Sequence, residues 1–231
     1  MKYLDNFLKA LQARWKGSLV RVSDAAAIQP NAKKFMGLLA KSGRIEKVVW
    51  GWYWIPGKYK DFYDFLSKDK NFKVLQKQSA AAFWNGDFVH RDHFSVAVKD
   101  KGFAKALAPF TRNKGWNVAV EVRTLKPGQY VETGGICVES LEETIVDCVK
   151  SWAFTDAFSA MAHNSRRLQW RKLEDRRWER IPRSGARVGQ VVQYGRHAIG
   201  TAVNETARVN ITDDFVRRQV EEAAERVSEF A

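Results

Sequence analysis

Apolar residues recur every three or four positions through Tyr3, Leu4, Phe7, Leu8, Leu11 and Trp15, the period of one helical face, and Gly17 ends the run. Leu19-Val20-Arg21-Val22 is short and apolar, a strand or an extended link. Ser23 offers an N-cap oxygen to a short helix through Ala25, Ala26, Ala27 and Ile28. Pro30 suits the first turn of the next helix, where a missing N–H costs nothing. That helix runs through Lys33, Lys34, Phe35, Leu38, Leu39 and Lys41 to Gly43. Phe35, Leu38, Leu39 and Ser42 share one face, so Asn31, Lys33, Lys34, Gly37 and Lys41 lie mostly on others. Two extended runs, Ile45–Val49 and Tyr53–Ile55, flank Trp50-Gly51-Trp52, where glycine suits a hairpin tip. Helix, short helix, helix, hairpin is the order of a winged helix-turn-helix, expected over residues 1–58.

After a short linker, Gly57-Lys-Tyr-Lys60, residues 61–231 read as a mixed α/β domain, so the expected class is α+β. Helices are expected over Asp61–Lys68, Val74–Trp84 and about Phe103–Pro109. Strands are expected at Phe94–Val98, Trp116–Arg123, Gln129–Glu132 and Ile136–Val138. Ser140-Leu-Glu-Glu143 has the form of a capping box opening a helix with Leu141, Ile145, Val149 and Trp152 inward. Further helices are expected at Thr155–His163, Leu168–Glu179 and from Thr212-Asp-Asp to about Glu229.

Charge changes the picture. The chain has 231 residues and a formal net charge of +13. Residues 1–60 carry twelve Lys/Arg against three Asp/Glu, whereas the remaining 171 carry 27 against 23. A basic module joined to a near-neutral one points to an acidic partner, and nucleic acid is the commonest. The two cysteines, Cys137 and Cys148, form no C-x-x-C pair, which suits a reducing compartment. The first residues contain no long apolar segment and no run approaches the roughly 20 residues a membrane span needs, so a cytoplasmic protein is expected.

On the winged-helix reading, the third helix enters the major groove and the hairpin is the wing. Lys33, Lys34 and Lys41 can neutralise phosphates, Gln29 and Asn31 can hydrogen-bond adenine or phosphate, and Arg44 and Lys47 flank the wing. Trp50 and Trp52 join this candidate DNA-binding set, although Trp50, Trp52 and Trp54 also suit a packed wing in which one or two are structural. Exposed helix lysines are most often merely solvated. A second basic region holds Arg166, Arg167, Arg171, Lys172, Arg176 and Arg177 and continues through Arg180, Arg183 and Arg187, opposed between residues 166 and 187 by Glu174, Asp175 and Glu179. It suits an acidic partner, DNA or protein, or equally a solvated helix with internal ion pairs.

The segment Ser-Gly-Arg-Ile-Glu-Lys-Val-Val-Trp-Gly-Trp-Tyr-Trp-Ile-Pro resembles the end of the N-terminal domain in AbiEi-type antitoxins, with Gly51, Tyr53 and Pro56 at the matching positions. Ser140, Glu143, Thr144 and Asp147 are similar to a second motif of that family, and Arg187-Val-Gly-Gln-Val-Val to a third. The usual Arg after the motif's Glu is replaced here by Thr144. The resemblance implies a repressor that binds its own promoter. It also implies a C-terminal domain that counteracts a nucleotidyltransferase-like toxin.

No catalytic constellation, metal site or cofactor motif is read in the chain. A metal-dependent nuclease would need an Asp and a Glu-x-Lys. Asp87 with Glu121-Val122-Arg123 comes nearest, but arginine cannot shuttle a proton at neutral pH. His90 and His93 have no second ligand pair for zinc. There is no G-x-S-x-G elbow and no phosphate-binding G-x-x-x-x-G-K-[S/T] loop. Two alternatives to a DNA-binding regulator stand: a protein-interaction module, and a DNA-processing nuclease targeted by its winged helix.

Overall fold

The computed structural model describes residues 2–87, 93–200 and 211–228. The first elements are α1 (Lys2–Trp15), β1 (Ser18–Arg21), α2 (Val22–Ala25), α3 (Ala32–Lys41), β2 (Glu46–Val49) and β3 (Trp52–Ile55). Next come α4 (Phe62–Lys68), β4 (Lys73–Leu75), α5 (Lys77–Trp84), β5 (His93–Val98), α6 (Lys101–Asn113) and β6 (Asn117–Val122). They are followed by β7 (Tyr130–Thr133), β8 (Ile136–Glu139), α7 (Leu141–Lys150), α8 (Phe154–His163), α9 (Trp170–Asp175), α10 (Val188–Ala198) and α11 (Asp214–Ser228). The class is mixed α+β with two sheets, one ordered β1-β3-β2 and the other β6-β5-β4-β8-β7. Among the described residues no helix is long and apolar enough to cross a membrane.

The chain forms two compact units. One holds Met1–Lys73, Val96–Thr124 and Glu132–Cys137; the other holds Val74–Ser95, Leu125–Val131 and Val138–Ala231. In the first unit β3 pairs antiparallel with both β1 and β2, and the register to β2 shifts between Lys47 and Val49. Gly51 turns the hairpin at φ +79, a conformation glycine adopts without strain. Phe7, Leu8 and Leu11 of α1 pack with Met36 and Leu39 of α3 and with Ile55.

The helical faces differ in detail from their periodicity. Tyr3 is 81% exposed, so the buried stripe of α1 begins beyond it. On α3 the buried positions are Ala32, Met36 and Leu39, spaced by four and three; Leu38 is exposed, and Phe35 lies half-buried with its ring edge-on to Phe7. The stripe is thus rotated from the one drawn through Phe35, Leu38 and Ser42. Ser23 caps nothing: α2 starts at Val22 with Arg21 at its N-cap. Pro30 precedes α3, whose N-cap is Asn31, and occupies the second position of a turn closed by the Ala32 N–H on the Gln29 carbonyl.

Further along, residues 73–75 are strand β4 rather than part of a helix running from Val74, because sheet pairing overrides the local pattern. Pro109 lies inside α6 instead of ending it. Asp61 caps α4 and Asp100 caps α6, each accepting the N–H three residues on. Ser140 caps α7 through the Glu143 N–H, but the Ser140 N–H goes to the Gln129 carbonyl, so the reciprocal half of the expected box is spent elsewhere. The expected helix over Leu168–Glu179 is only α9. Helix α10 has little signal in the sequence: Gly189 and Gly195 mask it, since glycine weakens any helical pattern.

Both of those glycines are required by close approach. A Cβ on Gly195 would stand 2.4 Å from Phe158 Cε1, inside the core of α7, α8, α10 and α11. Gly195→Ala is therefore expected to destabilise the second unit by about 1–3 kcal/mol despite its better helix propensity. Thermal denaturation followed by circular dichroism checks this, at roughly 2–4 °C per kcal/mol. An unchanged midpoint would show that Phe158 yields freely.

Candidate nucleic-acid interface

Helix α3 presents a polar face opposite its buried stripe. Asn31, Lys33, Lys34 and Lys41 are exposed, and Gln29 is half-buried just before the helix. Successive residues advance by about 100°, so Lys34, Leu38 and Lys41 form one line and Lys33 and Gly37 flank it. A Cβ on Gly37 would meet nothing within 4 Å. No packing inside the protein therefore asks for glycine there, although glycine in a helix costs about 0.5–1 kcal/mol relative to alanine. A backbone bared on an exposed cationic face admits close approach of a ligand.

The hairpin beside it divides its aromatics by place: Trp52 and Trp54, two apart on β3, both face α6, whereas Trp50 lies in the turn. Trp50, at the tip, is 82% exposed. Trp52 is not available to a duplex: it is 6% exposed, with its ring 5.7 Å from that of Phe103. Trp52 therefore belongs to the core beside α6 and not, as its place in the hairpin suggests, to a DNA-binding set. Trp54 is half-buried against Phe110, and its indole N–H donates to Tyr59 Oη at 3.2 Å. Tyr59 in turn donates to the Gly17 carbonyl, and burial raises the phenol pKa above its ordinary value, so it stays a neutral donor. Lys47 is exposed on β2. Arg44 is partly committed, pairing with Asp5 of α1 at 2.6 Å, where it ties α1 to the start of the hairpin.

Sequence reasoning missed Lys114. It sits just past α6, with its ammonium 3.9 Å from the Trp54 ring centroid and 3.8 Å from Glu46, so it braces the hairpin from behind. Nothing in the sequence links residue 114 to residue 54. The brace rests on a cluster in which Phe62, Phe65 and Phe110 each meet Trp116 edge-on or tilted, and Phe62 stacks on Phe65. Below it lies a buried polar knot. Asp69 Oδ2 accepts the Leu19 N–H at 2.7 Å, and Asp69 Oδ1 accepts the Asn71 N–H and the Lys73 ammonium at 3.0 and 3.1 Å. Lys73 also donates to the carbonyls of Asp69 and Asn71, and Asn71 Nδ2 donates to the Leu19 carbonyl. The Lys73 and Asp69 side chains are 4% and 0% exposed. Burial lowers the Lys73 pKa, and the Asp69 carboxylate opposes that shift.

Arg166, Arg167, Arg171, Lys172 and Arg177 are exposed. Arg176 leaves the set: its guanidinium pairs with Glu143, whose side chain is 3% exposed, at 2.6 Å and also with Glu179. It neutralises a buried carboxylate and is therefore already engaged inside the fold. Glu179 takes Lys150 as well, at 3.0 Å.

Of the residues considered for metal or nuclease chemistry, His90 lies outside the described residues, Asp87 is exposed, and Glu121 is half-buried on β6. Among the described residues, no group of three or more His, Cys, Asp or Glu is placed to hold a metal ion.

No family model, curated protein or solved structure matches this chain.

Proposed function

We propose that residues 1–58 form a winged helix-turn-helix and that the chain is a sequence-specific regulator that binds double-stranded DNA. Helix α3 serves as the recognition helix, the β2–β3 hairpin as the wing, and β1 closes the wing sheet. The observation that carries the reading is the cationic face of α3, where Lys33, Lys34 and Lys41 surround Gly37 without a ligand-independent reason for the glycine. Asn31, at the helix N-cap, stands where base-edge contacts are made by this class. The wing contributes Lys47 and Trp50.

By its resemblance to AbiEi-type antitoxins, the duplex is the promoter of the protein's own operon. The second unit then counteracts a nucleotidyltransferase-like toxin. The reading is of a binding protein, cytoplasmic and without a cofactor.

Fluorescence anisotropy with the duplex upstream of the coding region, titrated at several salt concentrations, tests the DNA reading. A slope in log affinity of about −0.9 per phosphate contact is expected. Gly37→Ala gives an opposed pair of outcomes: the protein gains up to about 1 kcal/mol of stability, while the added methyl weakens DNA binding. Tighter or equal binding in a stabilised Gly37→Ala protein would remove α3 from the interface. For the antitoxin role, co-expression with the neighbouring open reading frame is decisive: growth arrest by that frame alone, relieved by this chain, is the expected result.

A further inference from the structure

Residues 177–187 of the second unit form a short, well-anchored hairpin. Arg180 and Arg187 make an antiparallel bridge, and the Ile181 N–H donates to the Ala186 carbonyl at 3.0 Å. At its base the Val188 N–H reaches the Glu179 carbonyl at 2.9 Å, and the Gly189 N–H reaches the Arg177 carbonyl at 3.1 Å. Gly189 packs so closely that a Cβ there would stand 2.5 Å from Arg177 Cβ. The hairpin is thus locked onto the first turn of α10.

This scaffold holds up cations. Trp178 is 65% exposed, and the guanidinium carbons of Arg177 and Arg187 lie 5.1 and 5.5 Å from its ring centroid. Arg187 also donates to the Trp178 carbonyl at 2.8 Å. Stacking on one indole pre-orders two guanidinium groups and lowers the entropy each would lose on binding. Arg183 has φ +61 in the turn closed by the Ser184 N–H on the Ile181 carbonyl, directly after Pro182. Glycine or asparagine is usual at that position, and another residue costs about 1–2 kcal/mol there. The arginine is exposed, so the fold gains no burial from it. An exposed cation kept on a strained turn is what a binding role for Arg183 predicts. Among the described residues, Arg177, Arg180 and Arg183 make no ion pair, and Glu179 beside them is spent on Arg176 and Lys150.

We propose that this hairpin is a second DNA contact, in which Arg177, Arg180, Arg183 and Arg187 grip backbone phosphates and Trp178 holds two of them ready. The inference takes its ligand from the reading above. All four cations are arginines, whose forked N–H groups match phosphate bidentately. Three exposed arginines without an ion pair among the described residues, on a hairpin whose Gly185 N–H holds the Asp213 carboxylate at 3.1 Å, also suit a polymer carrying a charge at every residue. The contact is to the backbone, so it adds affinity without sequence preference.

The full chain carrying Arg177→Gln, Arg180→Gln and Arg183→Gly tests this against labelled duplexes of random and of upstream sequence. Arg183→Gly relieves the turn, so its thermal midpoint should match or exceed the parent's and controls for folding. The triple variant should show a salt slope shallower by about 2.7 and an affinity lower on the order of a hundredfold at about 0.15 M salt, equally for both duplexes. Arg183→Gly alone should lower the slope by about 0.9. Parental slope and affinity in a folded variant would overturn the proposal. So would a loss of poly-glutamate binding in a chain that binds no duplex, which would point to a protein partner. If the triple variant loses binding while Lys33→Ala with Lys34→Ala retains it, the hairpin contact stands and the α3 reading fails.

Discussion

Asp69→Ala is expected to cost the first unit roughly 3–5 kcal/mol, the cost of removing one partner from a buried ion pair. The carboxylate is fully buried and satisfies four donors at once: the Leu19 N–H, the Asn71 N–H, the Asn71 side-chain amide and the Lys73 ammonium. Alanine leaves a charge and two backbone amide groups in a dry site, and β1 loses its tie to residues 69–73. Because β1 pairs along the whole of β3, the wing sheet should loosen together with it. Urea denaturation followed by tryptophan fluorescence measures the loss, and a midpoint shifted by less than about 1 kcal/mol at unchanged m-value would contradict it. Asp69→Asn keeps an acceptor for Leu19 and should fall between. Lys73 adds a pH signature. Its folded pKa is depressed by burial, so over the alkaline range below the unfolded value of about 10.4 the unfolded chain binds more protons. Stability attributable to Lys73 therefore rises with pH across that window. Lys73→Met should abolish that rise.

Lys33→Ala combined with Lys34→Ala should weaken duplex binding on the order of thirtyfold at about 0.15 M salt and flatten the salt slope by about 1.8, as expected for two lost phosphate contacts. Both side chains are exposed on α3 and outside its buried stripe, so folding stability should stay within about 0.5 kcal/mol of the parent. That separation is what makes the experiment decisive. A drop in affinity without a drop in melting temperature isolates the interface; parental affinity at every salt concentration would remove α3 as the recognition helix. Lys47→Ala and Trp50→Ala extend the test to the wing. Trp52→Ala should instead act through stability, because its ring fills the space beside Phe103.

Those contrasts show how far local pattern reaches. Helices α1 and α3, the Gly51 hairpin and most strands of the second sheet are written in short-range signals, apolar period and turn residues, whereas α2 begins at Val22, ahead of the Ala25–Ile28 run and without the Ser23 cap. Such signals act over a few residues, and neighbours in sequence are enough to read them. The cationic face of α3 was legible for the same reason, since a helix places Lys33, Lys34, Gly37 and Lys41 by geometry alone. Charge asymmetry along the chain was legible too, because it requires no contacts.

What only tertiary structure decided is which of several plausible side chains is spent inside. Trp50 and Trp52 are chemically alike and two positions apart, yet one faces solvent and the other packs on Phe103, a residue some fifty positions away. Arg176 and Arg177 are adjacent, yet one is consumed by a buried Glu143 and the other stacks on an exposed indole. Lys73 looks like any surface lysine in sequence and is sealed against Asp69 in the fold. Periodicity says which face of an element turns inward; it does not say what waits there, because burial and ion pairing depend on residues that chain topology brings together from afar.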